Sequence, residues 1–214
     1  MNILNELLML AEAKGKNLLG LTINNKKITK QTPSEPWLGD FSCSDNQLTS
    51  LEGAPSSVGG DFSCTNNKLV TLEDAPTSVD GDFSCWNNKI TSLEGAPSSV
   101  GGYFNCYNNK LTTLEGAPSS VGGNFICSYN HLTSLTGIHR ILKQMKGNFY
   151  VYGNPLKSNI IGLLLVKGCK ELHLDNKQVM EIMNKHLKSP FGHLRVLECQ
   201  SEMLDADLGE WAEL

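Results

Sequence analysis

The chain has 214 residues, an apolar fraction of 40% and a formal net charge of −4. Length alone allows one or two domains, and the composition indicates a folded chain rather than a disordered one. The mild acidity and the lack of a basic stripe argue against binding to a nucleic-acid backbone.

The first segment, 1–20, is predicted to be a helical cap. Ile3, Leu4, Leu7 and Leu8 follow a helical period within 2–14. A helix here would cover the open end of a repeat array, where apolar surface and a strand edge would otherwise face water.

The same segment is a poor signal peptide and is too short to span a membrane. Glu6 and Glu12 lie within its apolar run, and no basic leader precedes that run. We therefore expect a cytoplasmic protein with reduced thiols and without a membrane partner.

Residues 21–174 are predicted to form a solenoid, because one unit recurs every 21 residues, as from Phe41 to Phe62. A fixed period of this size is typical of coils that stack on their neighbours. The repeated positions hold phenylalanine (Phe41, Phe62, Phe83, Phe104, Phe125), cysteine (Cys43, Cys64, Cys85, Cys106, Cys127) and asparagine (Asn46, Asn67, Asn88, Asn109, Asn130).

The start of this array is less regular. Leu21, Ile23 and Ile28 repeat the apolar spacing of the later units, which predicts a degenerate first coil. Trp37 and Leu38 are expected to pack beneath the first full coil.

Within each full coil, side-chain alternation directs phenylalanine and cysteine into the core, so the cysteines are interpreted as packing residues rather than metal ligands. Asn67 lies where the chain leaves the strand, and its amide can bond to backbone groups of the next coil. The return path is too short for a full helix. We therefore predict a β-rich solenoid with a single parallel sheet opposite turns and extended chain, and with helical caps at both ends.

Residues 175–214 are predicted to form the helical C-terminal cap. Asp175 is the expected N-cap of a first helix. The apolar face expected on a second helix consists of Leu194, Leu197, Cys199 and Leu204. Trp211 and Leu208 are expected to dock within the cap.

The stretch NNKLTTLEGAP (108–118) resembles the short, bacterial-type leucine-rich repeats of secreted effectors, whose NxLTSLP pattern is close. The likeness covers residues 21 to about 156 and implies the fold, but without an effector-like catalytic domain it implies no ligase activity. Near-identical tandem copies with a small helical end are also similar to leucine-rich-repeat-like proteins of tailed bacteriophages. That resemblance implies a protein of the bacterial host cytoplasm that binds and blocks a host factor, such as a defence protein.

No catalytic constellation is visible in the sequence. The histidines (His131, His139, His173, His186, His193) fit no metal or triad spacing, and the Gly-Gly pairs lack the Lys-Ser/Thr of a phosphate loop. We expect neither enzymatic activity nor a cofactor or metal.

The residues that flank phenylalanine and cysteine should point outward and vary between coils. Trp and Tyr supply large apolar area with a polar tip and dominate binding hot spots. The predicted partner-binding residues are an acidic group (Asp40, Asp61, Asp82) and a mainly aromatic group (Trp86, Tyr103, Asn105, Tyr107, Ile126, Tyr129, Tyr150, Tyr152).

This pattern favours a non-enzymatic module that binds a protein, as an inhibitor or adaptor. One alternative is sequestration of a nucleotide-like ligand between the sheet and the cap helices. Another is a structural or scaffold protein. The aromatic residues could also serve only cross-strand stacking or be covered by the cap of the chain itself.

Overall fold

The structure, a computed structural model, describes residues 22–23, 28–29 and 36–213. The helix predicted over 2–14 lies outside these residues. The strands are β1 (Thr22–Ile23), β2 (Ile28–Thr29), β3 (Phe41–Ser42), β4 (Phe62–Ser63), β5 (Ser78–Val79), β6 (Phe83–Ser84), β7 (Ser99–Val100), β8 (Phe104–Asn105), β9 (Ser120–Val121), β10 (Phe125–Ile126), β11 (Gln144–Met145), β12 (Phe149–Tyr150) and β13 (Leu172–His173).

Three α-helices belong to the described part of the chain: α1 (Ile138–Ile141), α2 (Lys177–Leu187) and α3 (His193–Asp205). Two 3-10 helices, Ile161–Leu165 and Gly209–Trp211, lie among them. Within these residues no helix has the length and apolarity needed to cross a lipid bilayer.

The main sheet has seven parallel strands in the order β13-β12-β10-β8-β6-β4-β3. Each coil adds one strand, and the phenylalanines pair in register, as Phe62 does with Phe83. Their rings form a column with centroids 5.1 to 5.6 Å apart from Phe41 to Phe149. The predicted parallel solenoid is confirmed.

A second parallel sheet closes the opposite side, so the prediction of a single sheet is wrong. It has four strands in the order β11-β9-β7-β5, and Val58 extends it by a bridge to Val79. A Ser-Val pair stands at the same point of three coils, where the valine is buried in the core. Because both neighbouring coils repeat this pair, two residues suffice to form parallel hydrogen bonds along the axis.

The core between the sheets is apolar, and all seven cysteines are free and buried in it. Burial raises the pKa of Cys43 to about 12, with its backbone hydrogen bond acting in the opposite direction. Burial also raises the pKa of Cys64 well above the ordinary thiol value. These thiols are packing residues, as predicted.

The repeated asparagines satisfy the backbone at the corner of each coil. Asn67 Nδ2 donates to the carbonyls of Cys43, Cys64 and Thr65 at 3.0 to 3.1 Å, and its Oδ1 accepts from the Leu48 N–H at 3.0 Å. Cys43 and Leu48 belong to the preceding coil, so the expectation of bonds to the next coil is wrong. The corner of the preceding coil offers both an N–H and a C=O to the amide, which uses both of its functions.

The described strands at the start of the chain do not form a degenerate first coil. β1 and β2 pair with each other in antiparallel fashion, with Ile23 opposite Ile28, and the seven-stranded sheet begins at β3. A connection as short as 24–27 allows a hairpin, which needs no neighbouring coil. Trp37 packs edge-on against Phe41 at 5.5 Å as predicted, whereas Leu38 is exposed because alternation turns it outward.

The helical C-terminal segment packs against the last coil. Asn184 on α2 pairs with the backbone of Leu172, donating at 2.9 Å and accepting at 2.6 Å. The N-cap of α2 is Asn176, whose side chain accepts from the Val179 N–H at 3.1 Å. The prediction that Asp175 is the cap is wrong, because its carboxylate accepts from the Gly153 N–H of the preceding coil at 2.7 Å.

Helix α3 buries a different face from the predicted one. Its buried residues are Arg195, Val196, Cys199 and Met203. Of the predicted face only Cys199 is buried, and Leu194, Leu197 and Leu204 are exposed. The Arg195 guanidinium donates to the Leu164 carbonyl and so sets the rotation of the helix. Trp211 is buried and Leu208 partly buried, as predicted for docking within the cap.

Candidate protein-interaction surface

The outer face of the seven-stranded sheet carries every predicted site residue. We define the outer face as the side chains that alternate with the buried phenylalanines and cysteines, together with the turn residue that follows each strand. Tyr103 precedes β8, Asn105 lies within it, and Tyr107 follows it. The chemistry of this face changes from coil to coil while its backbone stays the same.

The aspartates of the outer face join the coils to one another. Asp40 Oδ1 accepts from the Asp61 N–H at 2.8 Å, and Asp61 Oδ1 accepts from the Asp82 N–H at 2.7 Å. Asp82 Oδ1 in turn accepts from the Tyr103 N–H at 2.7 Å. One oxygen of each carboxylate is thus committed to the fold.

The glycine before each of these N–H donors makes the contact possible. A methyl group added to Gly60, Gly81 or Gly102 would collide with the carboxylate of the preceding coil. The Gly-Asp pair therefore recurs because the carboxylate needs the space that the glycine leaves.

Tyr103 belongs to the acidic part of the outer face. Its hydroxyl is hydrogen bonded to Ser84, and the pKa of Tyr103 is raised by burial and further by the charges of Asp82 and Asp61. Ser84 itself is buried. The Tyr103 hydroxyl thus lies on the side of the outer face that holds Asp82 and Asp61.

A ladder of side-chain amides runs along the turn after the strands. Asp45, Asn66, Asn87 and Asn108 all have positive φ, from 52° to 58°. Each asparagine donates its Nδ2 to the side-chain oxygen of the preceding member, at 2.7, 2.6 and 2.9 Å. This ladder was not predicted, although Asp or Asn in one slot of four coils is a signal for positive φ.

Tyr129 takes the next place in this series and ends the ladder. It has the same backbone conformation, with φ 54°, and its side chain is 50% exposed. A bulky side chain in the left-handed region costs of order 1 kcal/mol, and such strain is concentrated at functional sites.

Tyr129 lies between two other tyrosines. Its ring centroid is 5.2 Å from that of Tyr107 and 5.5 Å from that of Tyr152, which it meets edge-on. A methyl group on Gly153 would approach the Tyr129 ring to 2.9 Å, so the ring lies directly over this glycine. We call Tyr107, Tyr129 and Tyr152 the aromatic cluster.

The aromatic cluster lies around a buried hydroxyl. Ser128 occupies the slot between Tyr107 and Tyr152 and is fully buried. Its Oγ has no hydrogen-bond partner among the described residues.

Tyr150 belongs to a second group at the last two coils. Its ring stacks on that of His173, with centroids 4.4 Å apart and planes 6° apart. Asn148 Nδ2 lies 3.3 Å from His173 Nε2 and 3.5 Å from Glu171 Oε2. His173, Asn148 and Glu171 were not among the predicted site residues, although they occupy the same slots as Tyr150 and Tyr103 in later coils.

The remaining predicted residues have supporting positions. Asn105 Oδ1 accepts from the Tyr107 N–H at 3.0 Å, and Ile126 pairs in register with both Asn105 and Tyr150. Trp86 is half-buried, and within the described residues no ring contact joins it to Tyr107. The structure thus unites three of the predicted aromatic residues and leaves Trp86, Tyr103 and Tyr150 around them.

Concave features elsewhere are shallow or small. A groove of about 580 Å³ runs beside Val70, Glu73 and Glu94, and a cavity of about 210 Å³ lies between the last coils and Trp211. Among residues 36–213, no group of His, Cys, Asp and Glu side chains is arranged to hold a metal ion.

Comparison of the chain with protein-family models, with curated proteins and with solved structures gave no match.

Proposed function

We propose that this chain is a non-enzymatic protein-binding module that contacts its partner through the aromatic cluster and the adjoining outer face. The observation that carries the proposal is Tyr129. It is half exposed, conformationally strained and held between two other rings. Rigid, partly exposed aromatic side chains with a polar tip are typical of binding hot spots.

Two alternatives explain the aromatic cluster less well. Cross-strand stacking alone does not require a tyrosine at positive φ, where asparagine serves in the preceding coils. Cover by the cap would bury the rings, whereas Tyr103 and Tyr129 remain exposed. An external partner accounts for both the strain and the exposure.

Sequestration of a nucleotide-like ligand finds weaker support. The cavity between the last coils and Trp211 has a volume of about 210 Å³ and is lined by Asn154 and Asp175 but by none of the cluster tyrosines. Pockets for drug-sized ligands have volumes of about 300–1,000 Å³. The cluster rings lie outside this cavity, and partly exposed rings on a sheet face fit a protein partner better.

The biological setting that we propose rests on the repeat resemblance. Coils such as 108–118 resemble short bacterial-type leucine-rich repeats, including those of tailed bacteriophages. The partner would then be a host protein of the bacterial cytoplasm, and the chain would act as its inhibitor or adaptor.

The test is affinity capture from a bacterial lysate with the wild-type chain and a Trp86→Ala/Tyr107→Ala/Tyr129→Ala variant. We expect a stoichiometric partner that the variant loses or binds at least about 2 kcal/mol more weakly. A Leu38→Ala/Val70→Ala variant removes exposed apolar side chains elsewhere and is the matched control.

Retention of the same partner by the folded triple variant would refute the proposed surface. A nucleotide that co-purifies with the wild-type chain would support the ligand alternative, and co-purification with particles would support a scaffold role.

A further inference from the structure

Helix α3 has a second apolar stripe that faces solvent. Leu194, Leu197 and Leu204 are 68%, 62% and 63% exposed, and Ser201 lies between them on the same face. Their spacing, i, i+3, i+7 and i+10, is that of the a and d positions of a heptad repeat. The opposite face holds the buried Val196, Cys199 and Met203, so the exposed stripe is not needed by the core.

Phe191 extends the stripe at the start of the helix. It is 58% exposed, and the Arg195 guanidinium carbon lies 4.8 Å from its ring centroid. Arg195 is buried and anchored on the Leu164 carbonyl. The exposed phenylalanine is therefore held against a fixed group.

One side of this stripe is acidic. Glu198 and Asp205 flank it on the helix, and the sequence contains no Lys or Arg after Arg195. The acidic residues of this region are Glu198, Glu202, Asp205, Asp207, Glu210 and Glu213. Glu202 is paired with Lys185 and His186, whereas no ion pair joins Glu198 or Asp205 to another described residue.

We propose that the exposed stripe of α3 docks an amphipathic α-helix of a partner protein whose apolar seam is flanked by Lys or Arg. The apolar spacing suits side-by-side helix packing, and the flanking acids select basic neighbours. A second copy of this chain fits worse, because an antiparallel pair would bring Glu198 of one helix close to Asp205 of the other, and like charges repel. This surface is separate from the outer face, so the proposal does not depend on the proposed function.

The test uses two labelled synthetic helical peptides with leucine at every a and d position. One carries lysine at the e and g positions and its twin carries glutamate, and like charges keep each peptide from pairing with itself. In fluorescence anisotropy titrations against the full chain, we expect the lysine peptide to bind at least about tenfold more tightly than its twin, a difference of about 1.4 kcal/mol.

Two variants of the exposed stripe, with a control substitution elsewhere, separate docking on the stripe from non-specific apolar binding. Leu197→Asp/Leu204→Asp should weaken binding of the lysine peptide at least about tenfold, while Val70→Asp, at an exposed apolar position on another coil, should leave it unchanged. Glu198→Lys/Asp205→Lys should reverse the preference between the peptides. Because all four substituted positions are exposed, circular dichroism should show an intact fold.

Equal binding of both peptides, no binding of either, or binding unaffected by Leu197→Asp/Leu204→Asp would overturn the proposal. A concentration-dependent dimer in sedimentation velocity that Leu197→Asp dissociates would also overturn it, because the stripe would then be occupied by a second copy.

Discussion

Three coils have two adjacent asparagines, and the two members of each pair have different physical roles. Asn109 is buried, donates to Cys85 and Cys106 and accepts from the Ile90 N–H. Asn108 is exposed at φ 52° and donates to Asn87 in the amide ladder. At the corner of the coil, the Asn109 side chain supplies the backbone hydrogen bonds that strand pairing supplies elsewhere. The Asn108 side chain stabilises a backbone conformation with positive φ.

Asn109→Ala should lower the free energy of unfolding by about 2 kcal/mol or more, because the Ile90 N–H loses its acceptor inside the protein. The measurement is equilibrium unfolding in urea. Asn108→Gly is the control and should cost less than about 1 kcal/mol, since glycine adopts positive φ without strain. Equal losses in both variants would contradict this division of roles.

Tyr129→Asn should separate stability from binding. Asparagine tolerates φ 54° and can extend the amide ladder from Asn108, which offsets the loss of the contacts to Tyr107 and Tyr152. We expect stability within about 1 kcal/mol of the wild type. Affinity for the captured partner should fall by about 2 kcal/mol, measured by calorimetry. Unchanged affinity would exclude Tyr129 as a hot spot.

The sequence predicts which residues face outward but not how they combine. Alternation predicts that Tyr107 and Tyr152 face outward, and Tyr129 was expected beside them. The cluster itself depends on the left-handed turn at Tyr129 and on the open space over Gly153. The Asp or Asn slot of the preceding coils indicates positive φ at this turn, but the space over Gly153 is not visible in a periodic pattern.

The elements of this fold are short because their hydrogen bonds come from neighbouring coils. A strand of two residues, such as β6, is held by partner strands on both sides, and the Asp82 carboxylate just before it accepts from the Tyr103 N–H of the next coil. The contact between Gly102 and the Asp82 carboxylate therefore belongs to two neighbouring coils rather than to one.

Gly102→Ala should destabilise the chain because its methyl group displaces the Asp82 side chain and breaks the bond to the Tyr103 N–H. Combined with Asp82→Ala, the effects should be less than additive by about 1 kcal/mol in a double-mutant cycle. Measurement is by urea unfolding of the four proteins. Additive losses would show that the glycine acts independently of the carboxylate.

Helices α2 and α3 are joined by Glu202, whose pKa is lowered by hydrogen bonds from Lys185 and His186 at 2.7 and 2.8 Å. A carboxyl with a depressed folded-state pKa stabilises the fold above its unfolded pKa, and the contribution is lost as pH falls through the folded value. The stability difference between wild type and Glu202→Gln should thus be present at neutral pH and vanish in acid.

Thermal unfolding across the acidic range measures this difference. Glu198→Gln, at an exposed carboxyl of the same helix, is the control and should show a smaller pH dependence. A constant gap between wild type and Glu202→Gln at all pH values would contradict the linkage.

The existence of helix α3 could be predicted from the sequence, but the face that it buries could not. The sequence offers two apolar stripes, one through Leu194, Leu197 and Leu204 and one through Val196, Cys199 and Met203. Periodicity cannot choose between them. The choice comes from Arg195, whose guanidinium reaches a carbonyl 31 residues away in sequence.

At the scale of the whole molecule, the chain is an array whose coils contact only their neighbours. Successive strands are 21 residues apart up to β10, after which the spacing becomes 24 and then 23 residues. The stability of such an array is approximately a sum over coils and their interfaces.

Deletion of one whole coil, 81–101, should therefore give a folded protein. Phe62 would pair with Phe104 in place of Phe83, and the column of rings would close over the gap. We expect an unchanged far-UV spectrum and a denaturant m-value smaller by roughly one tenth, in proportion to chain length. Deletion of 81–90 alone would break the register and should unfold the chain. Loss of structure on whole-coil deletion would contradict the additive description.

The architecture of the main sheet could be predicted from the sequence because Phe, Cys, Leu and Asn recur at fixed positions. The second sheet could not be predicted, because a two-residue strand such as Ser78–Val79 shows no alternation of its own. The hairpin of β1 and β2 was missed for a related reason. Ile23 and Ile28 have the spacing of a coil, but the short connection lets them pair directly.

The hydrogen bonds of the two parallel sheets run between coils, along the solenoid axis. A pulling force applied along that axis would load one row of bonds at a time, so the end coils would peel away in sequence under modest tension. A force applied across the axis, along the strands, would load many rows together in shear. The molecule is therefore an anisotropic material, compliant lengthwise and stiff crosswise, and a partner gripping several coils at once would restrain the peeling.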